Sequence, residues 1–254
     1  MQYQGGYMTK TLWIGTILLT SLHSFASQKT ICGATDDRDL SFELKVGRLS
    51  TLDSHKGCTA TLISDSCAIT AGHCAPVLVR AEFNTPISVD ATPQPSKSED
   101  VYLIDTDTIK LEDNGPGQDW AVFKFKRNTA TGKLPGEVQG YYNVSFNQVR
   151  KGKTIRITGY GVDSGDATGN FAQQSHTGKL VKAGGFFSKT HLEHTADTMG
   201  GNSGSSIILE ETQEIIGIHT HGGCYSSGGA NQGTLINKHN KLVAAIKSCL
   251  NSEK

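Results

Sequence analysis

Two short stretches decide how this chain is read: Thr70-Ala71-Gly72-His73-Cys74 and Asp197-Thr198-Met199-Gly200-Gly201-Asn202-Ser203-Gly204-Ser205. Each alone is ordinary, a histidine in a turn after a strand and a turn rich in Gly and Ser. Together they supply an imidazole and a hydroxyl, the base and the nucleophile of acyl transfer. The glycines have a mechanical use, because a backbone that turns there can aim the Gly201 and Ser203 N–H groups at one point. A developing oxyanion needs two such donors, and losing one typically slows the reaction ~100- to 1000-fold. A side chain at position 201 would obstruct that approach.

A histidine acting as base also needs a carboxylate that accepts a hydrogen bond from its far nitrogen and fixes its tautomer. Asp119 is the candidate, since it opens Asp119-Trp120-Ala121-Val122, the start of a buried strand. Asp105, Asp107 and Asp113 lie nearby, but no comparable apolar strand follows them.

Working outward, the apolar runs are short and rich in Val, Ile and Thr, while Gly is high at 29 of 254 residues. That combination favours strands joined by tight turns, hence an all-β sandwich or a pair of barrels. Strands are predicted at 59–63, 67–70, 101–104, 121–125, 154–158, 206–209, 215–218 and 234–236. The segment 128–142, with Gly132, Pro135, Gly136 and Gly140, reads as a linker between two groups of strands. After Asn240 the period changes to Leu242, Ile246 and Leu250 with Val243 alongside, a short amphipathic C-terminal helix. No repeat or heptad pattern appears. The formal net charge of zero gives no electrostatic case for nucleic acid or an anionic membrane as partner.

Lys10, the apolar stretch 12–22 and the small-x-small triplet Ser24-Phe25-Ala26 have the layout of a signal peptide over residues 1–26. The stretch is shorter than the ~20 apolar residues of a membrane anchor. A secreted, extracellular or periplasmic protein follows, with residues 27–254 as the mature domain. Cys32, Cys58, Cys67, Cys74, Cys224 and Cys249 all lie beyond the cleavage point, and an even number in an oxidising compartment predicts three disulfides. No Cys-x-x-Cys pair suggests structural zinc. The pairs His219-x-His221 and His191-x-x-His194 could be metal ligands, and alternation would put His219 and His221 on one strand face. No neighbouring Cys or carboxylate cluster completes either set, so no metal and no cofactor is expected.

The first stretch closely resembles the histidine box of trypsin-like serine proteases and the second their serine box. The chain order His, Asp, Ser is that of the chymotrypsin group. The likeness covers roughly residues 32–250 and is nearest to the bacterial glutamyl endopeptidases. Gly217-Ile218-His219-Thr220 resembles their pocket-wall strand, and Cys32-Gly33-Ala34-Thr35-Asp36-Asp37-Arg38 is similar to their mature N-terminus. The resemblance implies two six-stranded antiparallel β-barrels, about 40–130 and 142–238, with the helix at about 240–250 and the triad His73, Asp119, Ser203 in the cleft. It implies an oxyanion hole of the Gly201 and Ser203 amides, and the disulfides Cys58–Cys74, Cys67–Cys249 and Cys32–Cys224. A monomer acting on polypeptide substrates is expected.

One departure is Asn202, which stands where vertebrate-type trypsins carry an Asp that pairs with a freed N-terminal ammonium. A neutral amide forms no such ion pair, so local hydrogen bonds should hold the oxyanion loop. For the substrate pocket the family pattern names Asp197, Thr198, His219, Thr220, Gly222 and Gly233. Two clues there conflict. Asp197, six residues before Ser203, is where trypsins bind Arg or Lys, whereas Thr198 and His219 occupy positions at which glutamyl endopeptidases hold a substrate carboxylate. A histidine suits no basic-residue pocket, so Glu at P1 is expected with Asp197 turned away or paired. The alternatives are tryptic specificity through Asp197 and a catalytically inactive binding module on the same fold.

Overall fold

Strand β1 (Asp39–Leu40) precedes six strands that close into a barrel: β2 (Val46–Ser50), β3 (Thr59–Leu62), β4 (Cys67–Thr70), β5 (Arg80–Glu82), β6 (Val101–Asp113) and β7 (Asp119–Phe125). Their order round the barrel is β2-β3-β4-β7-β6-β5, all antiparallel. This computed structural model describes residues 1–2, 30–186 and 188–253, so all but the first two residues of the expected leader lie outside the described residues. After a linker that carries the short helix α1 (Pro135–Gln139) come β8 (Thr154–Gly159), β9 (Gln174–Ala183), β10 (His191–His194), β11 (Ser206–Leu209) and β12 (Glu214–His221). The small hairpin of β13 (Cys224–Tyr225) and β14 (Gly228–Gly229) leads into β15 (Asn231–Leu235). The sheet runs β9-β10-β15-β12-β11-β8 and closes on itself through the β8–β9 pairing, with β1 added to the outside of β9. The architecture is therefore two closed six-stranded antiparallel β-barrels followed by one C-terminal helix, α2 (Asn240–Asn251).

Apolar side chains explain the closure. Strands β3 and β4 are buried along their whole length, and Leu62, Ile69, Phe83, Tyr102, Phe123 and Phe125 fill the first barrel. Ile155, Ile157, Leu180, Leu192, Ile207 and Leu235 fill the second. The apolar stripe of α2, Leu242, Ala245 and Ile246, belongs to the core of the first barrel, so the end of the chain returns to its beginning. His239 caps that helix, its Nδ1 accepting from the Leu242 N–H at 3.3 Å. Three disulfides, Cys32–Cys224, Cys58–Cys74 and Cys67–Cys249, add covalent ties. The 16-residue Cys58–Cys74 loop contributes about 3 kcal/mol on the chain-entropy picture.

Two strands are built around charge. Arg48 on β2 and Glu82 on β5 are both buried and paired at 2.6 Å, and Glu82 also meets His55 Nδ1 at 2.7 Å and Arg80 at 3.1 Å. Arg48 donates further to the carbonyls of Phe171 and Gln94 at 3.0 and 2.6 Å. A buried charge is tolerated when it is paired and bonded in this way. Among the described residues no helix is long and apolar enough to cross a membrane.

Candidate active site

Strand β4 ends at Thr70, and the chain turns through a single short 3-10 stretch, Gly72–Val77, that carries His73 and Cys74. Gly72 is needed there, because a Cβ would overlap the Glu112 carbonyl of the neighbouring hairpin. That hairpin, β6–β7, sets Asp113 opposite Asp119, while β4 pairs Thr70 with Ala121. The two registers bring the first residue of β7 beneath the histidine turn. Asp119 is fully buried. Its Oδ1 accepts from the Gly72 and His73 amides at 2.5 and 3.1 Å, and its Oδ2 faces His73 Nδ1 at 2.6 Å. Thr234 of the second barrel holds the Asp119 backbone, its Oγ1 donating to the Asp119 carbonyl at 2.7 Å. The hydrogen bond to Asp119 raises the His73 pKa above 6.5; burial opposes this, and the charges of Asp119 and Asp113 add to it.

Ser203 arrives from the second barrel. Its carbonyl accepts from the Thr59 amide at 2.9 Å and lies 3.7 Å from Cys74 Sγ, which seats the serine turn against the histidine turn. Gly204, at φ +88°, passes so close to Thr70 and Thr59 that a Cβ would overlap both. Gly201, at φ +106°, would likewise strike the Tyr160 carbonyl with any Cβ. The Gly200 carbonyl accepts from Val162 N–H at 2.8 Å. In a trans peptide the next N–H points the opposite way, so the Gly201 amide is aimed away from Val162. Among the described residues neither the Gly201 nor the Ser203 N–H has a protein acceptor. Asn202 is buried and its Oδ1 accepts from the Met199 amide at 2.9 Å, a local bond with no terminal ammonium involved.

The expected pocket residues sit on three elements. Asp197 is buried, but both carboxylate oxygens turn to the N-terminal segment, Oδ1 accepting from Cys32 N–H at 2.6 Å and Oδ2 from Asp37 N–H at 3.1 Å. Thr198 Oγ1 accepts from Asn231 Nδ2 at 3.1 Å. His219 is buried on β12, with Nδ1 3.1 Å from Nε2 of His194, whose own Nδ1 accepts from Ala196 N–H at 3.2 Å. Burial pushes the His194 pKa down to about 3, and burial above all holds His219 well below its ordinary value. Thr220 Oγ1 meets His221 Nδ1 at 2.9 Å. Gly233 on β15 pairs with His219, and a Cβ there would overlap the Ile218 carbonyl. At Gly222 a Cβ would overlap the Thr30 side chain.

The histidine pairs read from spacing do not form. A register shift in β12 between His219 and His221 breaks the alternation, so His219 faces His194 while His221 Nδ1 faces Thr220 and Asp119. His191 instead lies beside Lys182 and Glu193. Four contributors had no sequence signal: Thr30, Thr59, His194 as a partner of His219, and Asn231. Asn231 is a buried hub whose two Nδ2 hydrogens are shared among Thr198 Oγ1 and the Thr30 and Ala196 carbonyls, the last two at 2.8 and 2.9 Å.

A comparison with curated protein sequences finds no match. Solved structures show the same fold. A Glu endopeptidase in complex with MPD superposes with a TM-score of 0.62 at 21% identity, covering 86% of this chain and 99% of that one. The thermostable serine protease AL20 from an extremophilic microorganism gives 0.59 at 14% identity, covering 80% and 98%. The protease Anisep from Arthrobacter nicotinovorans gives 0.56 at 15%, covering 78% and 92%. The family model described as Trypsin matches residues 32–246, nearly all of both barrels, and the chain belongs to the trypsin family of serine endopeptidases.

Proposed function

We propose that this endopeptidase works through an acyl-enzyme on Ser203, with His73 as general base and Asp119 as its orienting carboxylate, and that it prefers Glu at P1. The observation that carries the chemistry is the 2.6 Å contact between His73 Nδ1 and a buried Asp119. It fixes the proton on Nδ1 and leaves Nε2 as the basic nitrogen. Ser203 Oγ attacks the scissile carbonyl as Nε2 takes its proton, and the Gly201 and Ser203 amides receive the oxyanion. The imidazolium then gives its proton to the leaving amine, and a water activated by the same nitrogen releases the acyl group.

The specificity reading rests on hydrogen-bond directions. Because Ala196 N–H donates to His194 Nδ1, a neutral His194 carries its proton on Nε2 and gives it to His219 Nδ1. A neutral His219 then carries its own proton on Nε2, a donor for an incoming carboxylate. Thr198 Oγ1 accepts from Asn231, so its hydroxyl hydrogen is a second donor. Two donors suit Glu and repel the all-donor head of Arg or Lys. Asp197 is already spent on two backbone amides, which argues against the tryptic reading. The Glu endopeptidase among the similar structures points the same way. The three disulfides suit an exported enzyme.

Two peptide substrates differing only in Glu or Arg at P1, assayed with wild type and His219→Ala, test the reading. Glu should be preferred by the wild type and the preference lost in the variant. Preference for Arg, or a Glu preference indifferent to His219, would overturn it.

A further inference from the structure

A Ser-His-Asp triad needs one imidazole and one carboxylate beside the nucleophile, and here both are doubled. Asp119 Oδ2 lies 2.6 Å from His73 Nδ1 and 3.8 Å from Nδ1 of His221, the last residue of β12. The His73 and His221 ring centres are 5.6 Å apart. Asp113, the last residue of β6, pairs with Asp119 across the hairpin, and ligand atoms of His73, Asp113 and Asp119 all fall within 4.8 Å of one another. Neither His221 nor Asp113 is a member of the triad, and Asp113 bears on it only through its charge.

The geometry suits a small divalent cation of borderline softness. Metal–ligand bonds of about 2.0–2.2 Å in a tetrahedron place neighbouring ligand atoms roughly 3.3 Å apart. The observed 2.6 and 3.8 Å separations from Asp119 Oδ2 bracket that spacing, and the His221 ring has to move in toward His73, Asp113 and Asp119 to complete the tetrahedron. Asp119 Oδ1 is already held by two backbone amides, which leaves Oδ2 as a fixed single ligand, the outer-shell support that metal-bound carboxylates have. The His73 and His221 side chains are 32% and 39% exposed, so both rings can adjust. Asp113 is exposed and offers a path of entry from solvent.

We propose that His73, Asp113, Asp119 and His221 form a zinc site in which the cation replaces the proton between His73 and Asp119 and reversibly switches the peptidase off. Bonds form from zinc to His73 Nδ1, His221 Nδ1, Asp119 Oδ2 and an Asp113 oxygen. The His73 proton moves from Nδ1 to Nε2 through solvent, so the neutral ring binds zinc through Nδ1; the hydrogen bond to Asp119 is given up, no covalent bond within the chain breaks and nothing is oxidised or reduced. With zinc on Nδ1 and the proton on Nε2, His73 has no free nitrogen to take the Ser203 proton. The inhibitory half rests on the reading of His73 as base, whereas the binding half does not.

The test therefore measures binding and activity separately. Cobalt(II), a spectroscopic stand-in for zinc, is titrated into the mature enzyme and into Ser203→Ala. Both should develop the intense visible absorption of a four-coordinate centre at one equivalent, and zinc should remove it. Zinc should inhibit peptide hydrolysis by the wild type, with recovery on adding EDTA. His221→Asn and Asp113→Asn should each lose the cobalt spectrum and weaken zinc inhibition at least tenfold while still cleaving peptide. Absence of the spectrum in wild type and Ser203→Ala, or undiminished zinc inhibition in both ligand variants, overturns the site. A normal spectrum with no inhibition overturns the switch, and it also speaks against His73 as base.

Discussion

Thr59 Oγ1 donates to the Gly201 carbonyl at 3.0 Å and accepts from the Tyr160 amide at the same distance, while the Thr59 amide holds the Ser203 carbonyl. One first-barrel residue thus fixes both ends of the proposed oxyanion turn. Thr59→Val keeps the shape but strands a buried carbonyl and a buried amide, a loss of about 1–3 kcal/mol. With the Gly201–Asn202 peptide released and the turn that carries the Gly201 and Ser203 amides loosened, kcat should fall roughly 10- to 100-fold with little change in KM. Thr59→Ser should restore most of it. Steady-state kinetics on the three forms decides; an unchanged kcat in Thr59→Val would remove Thr59 from the machinery.

Ser203→Ala should lower kcat/KM at least about a thousandfold while urea unfolding stays that of the wild type, because the hydroxyl supports no packing. A sulfonyl fluoride should modify Ser203 alone, and peptide mapping that finds the label on another serine would move the nucleophile.

If His73 is the base, as proposed, activity requires it neutral, and the Asp119 hydrogen bond raises its pKa above 6.5. The kcat/KM profile should therefore fall on the acid side with a midpoint above 6.5, and Asp119→Asn should lower both the midpoint and the rate. A wild-type midpoint below 6 would contradict the pairing.

Stability should depend on pH for a different reason. His194 and His219 are buried and titrate well below 6.5 in the folded chain, so unfolding takes up protons once the pH drops below about 6.5. Their contribution is fully present above that value and is lost as pH falls toward the folded pKa, at up to about 1.4 kcal/mol per pH unit for each histidine. Urea midpoints of wild type and His194→Gln between pH 7 and 4 check this; the variant should show the shallower decline.

Asp197→Ala separates the two pocket readings. If the carboxylate serves Cys32 and Asp37, the change should destabilise the chain by about 2–4 kcal/mol and leave the P1 preference as it was. Loss of an Arg preference on the same substitution would show a tryptic pocket.

Much of this architecture was legible because its strongest signals are local. Strands β3, β4 and β11 are short apolar runs with turns at both ends, and the helix announces itself by a change of period. Strand β2 was not legible, since Val46-Gly47-Arg48-Leu49-Ser50 is wholly buried yet carries an arginine that only the distant Glu82 makes tolerable. Strand β9 is missed for the opposite reason: its ten residues are mostly polar and only partly buried, and it is a strand because β8 and β10 flank it. In the site, His73, Asp119 and Ser203 stand in compact motifs. The His194–His219 pair, Thr30 over Gly222 and the approach of His221 to Asp119 depend on registers between distant segments, and a bulge in β12 overrides the alternation that would place His219 and His221 together.

Two of the disulfides span most of the chain, Cys32–Cys224 over 192 residues and Cys67–Cys249 over 182. Any single backbone cut between Cys74 and Cys224 falls inside both loops, including one after Glu211 in the exposed turn between β11 and β12. Such a break yields two fragments that remain doubly stapled, with each barrel still braced by the other. An endopeptidase at high local concentration is its own nearest substrate. The long bridges turn self-digestion at that turn from destruction into a scar, visible as two bands only after reduction.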